Sequence, residues 1–131
     1  MFLSSDQIEK LEAGGNVKVV SVASGYDEGW FMNVNPETAH PAMLDVNVRK
    51  AIALATDRFS IVKDLLVEDV NPVNTNFWDN NPPYGDTDLK PYPYDPEQAK
   101  QLLDAAGWKD SNGDGTRDKD GTELVLRYIT N

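Results

Sequence analysis

The segment Tyr94–Trp108, YDPEQAKQLLDAAGW, constrains this chain more than any other stretch, because almost every residue in it has a single structural use. Asp95 can accept a hydrogen bond from the first free amides of a helix, and Pro96 suits the first helical position. Gln98 stands where a capping-box partner reaches back. Ala99, Leu102, Leu103 and Ala106 then recur at helical spacing and make one apolar stripe, and Gly107 supplies a left-handed stop. Trp108 follows as a core residue. A helix with one apolar stripe is stable only against another apolar surface, so the remainder of the chain must provide one.

The natural partner lies upstream. Asp45 can cap a helix carrying Val48, Ala51, Ile52 and Ala55 at helical spacing, and Asp57 ends it and starts another with Ile61, Val62, Leu65 and Leu66 buried. A short helix through Ile8 and Leu11, capped by Ser5 or Asp6, stops at Gly14-Gly15. Val17–Val22, Trp30–Val34 and Leu124–Thr130 read as strands, the first two as antiparallel neighbours. The expected fold is therefore α/β with mixed α+β character: a small mixed sheet of about three strands with three to four helices. Residues 1–131 are read as a single domain. Six of the eight prolines fall between Pro72 and Pro96, which makes 71–95 one long loop, and loops of that length are usually functional.

Charge narrows the partners. Twenty-two acidic against twelve basic residues give a net charge of −10, which argues against nucleic acid and anionic membrane surfaces. The chain has no cysteine, excluding disulfides and thiolate metal sites. No apolar run reaches the ~18 residues of a membrane span, and MFLSS lacks the basic and apolar regions of a signal peptide.

Three groups of residues could carry chemistry. In the acidic loop 110–121, Asp110, Asn112, Asp114, Thr116 and Asp118 fall at alternate positions of an EF-hand-like or dockerin-like calcium loop, with Gly115 at the sharp turn. Gly121 stands where the bidentate glutamate belongs, and the alternative use of the segment is a solvated turn. Loop aromatics form the second group: Tyr26, Trp30, Phe77, Trp78, Tyr84, Tyr92 and Tyr94. Tyr26, Asp27 and Trp30 make an aromatic and acidic turn suited to lining a ligand cleft, since aromatics give contact area at small entropy cost. Catalysis has no foothold. His40, the single histidine, sits in a Pro-flanked loop without a nucleophile motif nearby, and no phosphate loop or dinucleotide turn occurs. Arg49 is expected on the solvated face or pairing with Asp45 or Glu68, and Arg58 beside Asp57.

The strings FMNVNPE, NVRKAIALATDR and YDPEQAKQLLDAAGW occur in that order. In this arrangement the chain resembles the extracellular solute-binding proteins of bacterial ABC importers, family 5, whose members take oligopeptides, dipeptides or nickel. The likeness runs from Val17 to Thr130. It implies a fragment of the second lobe of a two-lobed, periplasmic-binding-protein type II-like clamp, and a non-catalytic ligand-capture role, with peptides as the leading ligand. Nickel complexes, haem and oligosaccharides are the other ligand classes of such proteins. It also implies an ABC permease as partner and a periplasmic or extracellular location, with a lipid-anchored full-length form whose signal segment is not in this chain. No cofactor is required beyond a candidate structural calcium. A calcium-dependent interaction module is the alternative reading; a dockerin repeats its calcium loop, and this chain has one.

Overall fold

The computed structural model describes residues 3–20, 29–65, 85–86 and 88–130. The chain divides into two compact units, one formed by Met1–Gly29 with Asp57–Tyr92 and the other by Trp30–Thr56 with Pro93–Asn131. Among the described residues, no helix is long and apolar enough to cross a membrane.

In the first unit, helix α1 spans Ser5–Ala13. Its cap is Ser4, one residue earlier than expected, and the Gln7 side chain accepts the Ser4 N–H at 3.0 Å. Helix α3 spans Arg58–Leu65. Asp57 starts it, accepting from the Ser60 amide at 3.1 Å and the Ser60 hydroxyl at 2.8 Å. Ile61 on this helix is exposed rather than buried, and Val62 is half-buried. Leu66 lies outside the described residues. Arg58 donates to the Tyr92 carbonyl rather than pairing with Asp57. A guanidinium offers five donors, so a fixed carbonyl competes well with a carboxylate already engaged by serine.

The second unit holds the core. A 3₁₀ turn, Pro41–Leu44, leads into α2, Val46–Ala55. Asp45 caps α2 as expected, accepting from Asn47 N–H at 2.8 Å. Helix α4 spans Pro96–Ala105, and Asp95 accepts from Gln98 N–H at 2.9 Å. The two helices pack on each other, with the Asp95 amide donating to the Leu54 carbonyl at 2.8 Å where one ends and the other begins. Ala51, Leu54 and Ala99 form one buried cluster, and Ala42, Val48, Ala106 and Trp108 another; Leu103 packs against both. The stripe expected on α4 is therefore the one buried. On α2, Val48 and Ala51 are buried as expected, Ala55 is exposed, and Leu54 takes its place. Alanines at the contact let two helices approach closely, and full burial of Leu54 or Val48 contributes roughly 1.5–3 kcal/mol each.

Among the described residues the sheet is smaller than expected and lies elsewhere. It consists of β1, Asp118–Lys119, and β2, Thr122–Glu123, paired antiparallel with Asp118 opposite Glu123 and Lys119 opposite Thr122. Asp120 and Gly121 join them with φ of +51° and +77°, the two left-handed residues of a type I′ hairpin. Residues 17–20, 30–34 and 124–129, read as strands from their β-branched and aromatic content, form no regular strand among the described residues, although the Leu124 amide donates to the Arg117 carbonyl at 2.6 Å beside the hairpin. Residues 21 and 22 lie outside them. Val17, Val20, Trp30, Phe31, Val34, Val125, Leu126, Tyr128 and Ile129 are all exposed. Strand propensity measures fit to a packed, laddered surface, and without such a neighbour the same residues stay irregular. Residues 33–39 instead close on themselves: Asn33 accepts from Asn35 N–H, Asn35 accepts from Glu37 N–H, and Asn33 donates to Thr38 Oγ1.

Trp108→Ala is expected to cost about 3–5 kcal/mol, in the range of buried tryptophan truncations, read as a lower urea midpoint with unchanged slope. Asp95→Ala should cost only about 1 kcal/mol, the usual value of a helix cap. Equal losses in the two variants would mean that Trp108 is not the centre of this core.

Candidate functional site

The C-terminal end of α4 gathers backbone hydrogen bonds and three from side chains of the hairpin segment. The Gly107 amide donates to the Asp104 carbonyl at 3.1 Å and the Trp108 amide to the Leu103 carbonyl at 2.9 Å. With Gly107 at φ +86°, this is a Schellman closure. It swings the Trp108 ring under the helix, where 3% of it remains exposed.

Two cations from the hairpin segment finish the helix end. Arg117 Nη1 donates to the Trp108 carbonyl at 2.6 Å and to Asp104 Oδ1 at 2.5 Å. Lys119 Nζ donates to the Ala106 carbonyl at 2.8 Å, its stem lying 3.3 Å from where a Gly107 Cβ would sit. Carbonyls at a helix C-terminus lack intrahelical donors and carry partial negative charge, so cations are favoured there. The hydrogen bond from Arg117 holds the Asp104 carboxyl below its ordinary 3.8.

His40, placed by the sequence in a Pro-flanked loop, is half-buried and bonded through both ring nitrogens. Nδ1 accepts from Ala42 N–H at 3.2 Å, starting the 3₁₀ turn, and Nε2 donates to the Glu123 carbonyl at 2.9 Å. Its ring stands 5.6 Å from that of Trp108. Nothing in the local sequence signals this, because its main partner is 83 residues away. Arg49 is likewise not a solvated charge: Nη1 donates to the Met43 carbonyl at 2.6 Å. The hairpin did carry a local signal, the Asp120-Gly121 pair, which is the strongest short-range marker of a two-residue turn.

The acidic loop folds inward on its own backbone. Asp110 accepts from the amides of Gly113, Asp114 and Gly115 at 2.7, 3.2 and 3.0 Å. Asp114 accepts from Thr116 N–H at 2.7 Å and from Asn112 Nδ2 at 2.8 Å, and these bonds lower its pKa. Asp118 accepts from the Ser111 amide and hydroxyl. Among the described residues no group of three or more His, Cys, Asp or Glu side chains is placed to hold a metal ion.

Of the aromatic turn, Tyr26 and Asp27 lie outside the described residues, as do Phe77, Trp78 and Tyr84. Trp30 is 58% exposed and lies against Tyr128, with ring centroids 5.3 Å apart at 40°. Tyr92 and Tyr94 are exposed; Trp108 is core, as expected.

Residues 1–131 match the family model described as bacterial extracellular solute-binding proteins, family 5 Middle. The chain belongs to that family. It is 42% identical over 91 residues to the oligopeptide-binding protein AppA of Bacillus subtilis, covering 66% of this chain and 16% of that protein. It is 31% identical over 125 residues to the oligopeptide-binding protein OppA of Mycobacterium tuberculosis, covering 93% and 21%. The nickel-binding periplasmic protein of Escherichia coli is 34% identical over 89 residues, covering 68% and 17%. The crystal structure of NikA from Brucella suis in complex with Fe(III)-EDTA superposes with a TM-score of 0.60 at 36% identity, over 71% of this chain and 18% of that one. The chain thus spans about a sixth to a fifth of the length of these relatives. The strings that carry the family-5 likeness have structural uses here. Arg49 of NVRKAIALATDR holds the preceding turn, and Asp95, Gly107 and Trp108 of YDPEQAKQLLDAAGW begin and close α4.

Two outcomes follow for this region. Asp57, Asp104 and Asp114 all have depressed carboxyl pKa values, chiefly through hydrogen bonds from Ser60, Arg117 and Thr116. Their contribution is complete above the unfolded value of 3.8 and is lost as pH falls through the lower folded values. Denaturation between roughly pH 5 and pH 2 should show this loss, and Asp104→Asn should flatten part of it. Added calcium chloride is expected to leave the thermal midpoint unmoved, since the loop carboxylates already have amide partners. A saturating rise would show instead that they turn to an ion.

Proposed function

We propose that this chain is part of the ligand-capture component of a bacterial ABC uptake transporter, non-catalytic, with peptides as ligand. The observation that supports it is the match of the whole chain to family 5, together with relatives named as oligopeptide-binding over most of its length. A capture protein needs no reacting groups. It needs a closed state that the ligand stabilises by binding it more tightly than the open one, and two lobes moving about a hinge provide that. On this reading the present chain belongs to the second lobe, the loaded protein meets a membrane permease, and the full-length form works outside the cytoplasmic membrane on a lipid anchor.

Trp30, with Tyr26 and Asp27, is the proposed ligand contact in this segment. An exposed indole beside a second ring offers a flat apolar surface to a peptide side chain.

Calorimetry on the full-length protein tests both levels. A panel of short peptides should bind with micromolar or tighter affinity, and nickel chelates should not compete. Binding of the chelate alone would assign the protein to the metal branch of the family. Trp30→Ala is expected to weaken peptide binding about tenfold, equivalent to about 1.4 kcal/mol. Unchanged affinity would remove Trp30 from the ligand surface and leave the capture role standing.

A further inference from the structure

The acidic loop contains the one Asn-Gly pair of the chain, Asn112-Gly113. Asn-Gly is the pair most open to self-cyclisation, because glycine puts no side chain in the way of its own amide nitrogen. Here Gly113 has φ +79°, and nothing stands within 4 Å of where a Cβ would be. Both residues are exposed, so water reaches the product.

The hydrogen bonds around this pair run in the direction such a reaction needs. The Gly113 N–H, whose nitrogen is the nucleophile, donates to Asp110 Oδ1 at 2.7 Å. The Asn112 Oδ1, which gains negative charge as the tetrahedral adduct forms, accepts at 3.0 Å from the Asp114 N–H, a donor it shares with Asp110 Oδ1 at 3.2 Å. The Asn112 Nδ2, the leaving nitrogen, is held by Asp114 Oδ2 at 2.8 Å. A base on the nucleophile and a fixed donor on the developing oxyanion are the two devices that accelerate acyl transfer.

We propose that Asn112 is a self-modification site, converted in the folded protein to a succinimide and then to aspartate and isoaspartate. The Gly113 nitrogen attacks Asn112 Cγ as Asp110 takes its proton. The N–Cγ bond forms, the Cγ–Nδ2 bond breaks, and the amine leaves as ammonia after receiving a proton through solvent. Water then opens the ring at either carbonyl. Opening at the former backbone carbonyl reroutes the main chain through the side chain. The product adds a negative charge between Asp110 and Asp114 and removes the Asn112 Nδ2 donor that Asp114 now uses. Asp110 is a positioning and proton-accepting residue in this step, and nothing but water is consumed.

Trypsin cleavage after Lys109 and Arg117 releases the octapeptide 110–117, DSNGDGTR, which isolates the site for mass spectrometry. The intact protein would be incubated at mildly alkaline pH beside the synthetic octapeptide. The protein-derived peptide should gain one mass unit, split into aspartate and isoaspartate forms, and do so severalfold faster than the free octapeptide. Asn33, Asn35 and Asn47, on the 19–49 tryptic peptide, serve as internal controls and should stay unchanged. Asp110→Asn should slow the folded protein about tenfold or more, at the low end of general-base effects or below it. In urea the variant and the parent should convert at equal rates. A folded protein slower than the free octapeptide, or an Asp110→Asn variant as fast as the parent, would overturn the proposal.

Discussion

The seating of Trp108 beneath the end of α4 is the contact on which the second unit depends. The indole is placed there by backbone chemistry: a left-handed glycine and two reversed amide bonds turn the chain back under its own helix. Once there it meets Ala42, Val48 and Ala106, and so joins α4, α2 and the 3₁₀ turn in one cluster. Dispersion and water exclusion make that junction favourable, but the Schellman closure decides where it forms.

Polar side chains then complete what the apolar contact starts. Four long or heterocyclic groups, His40, Arg49, Arg117 and Lys119, each donate to a main-chain carbonyl, and three of those carbonyls lie at the end of a helix, at the end of α4's closure or in the hairpin. Three of the four bonds are half-buried, where a carbonyl without a donor costs more than a made hydrogen bond contributes, so Arg49, Arg117 and Lys119 matter for what they prevent. The acidic loop is exposed, and its bonds are local. Its aspartates point at amides of a tight turn that has no ladder to satisfy them.

The local elements were legible in the sequence to the extent that their causes are local. Asp45, Asp57 and Asp95 start helices within three residues of themselves, and the α4 stripe and stop lie on the helix they serve. The strands were not legible, because a β-branched run states only a preference, and among the described residues no ladder realises it in those runs. Of the candidate site, the sequence displays Trp30 but not its surroundings. Trp30 is exposed and its neighbour Tyr128 is 98 positions away in the chain, so only folding brings the two rings together.

The sequence by itself determined the helices, the caps of α2 and α4, the buried stripe of α4 and the family to which the chain belongs, because each rests on residue types at short fixed spacing. Tertiary structure decided the rest. It chose Leu54 over Ala55 for the α2 contact, moved the sheet to the Asp120-Gly121 hairpin, and made His40, Arg49 and Arg117 donors for main-chain oxygens. Short-range order is encoded by neighbours along the chain. Which distant carbonyl needs a donor is settled only when the chain has closed on itself.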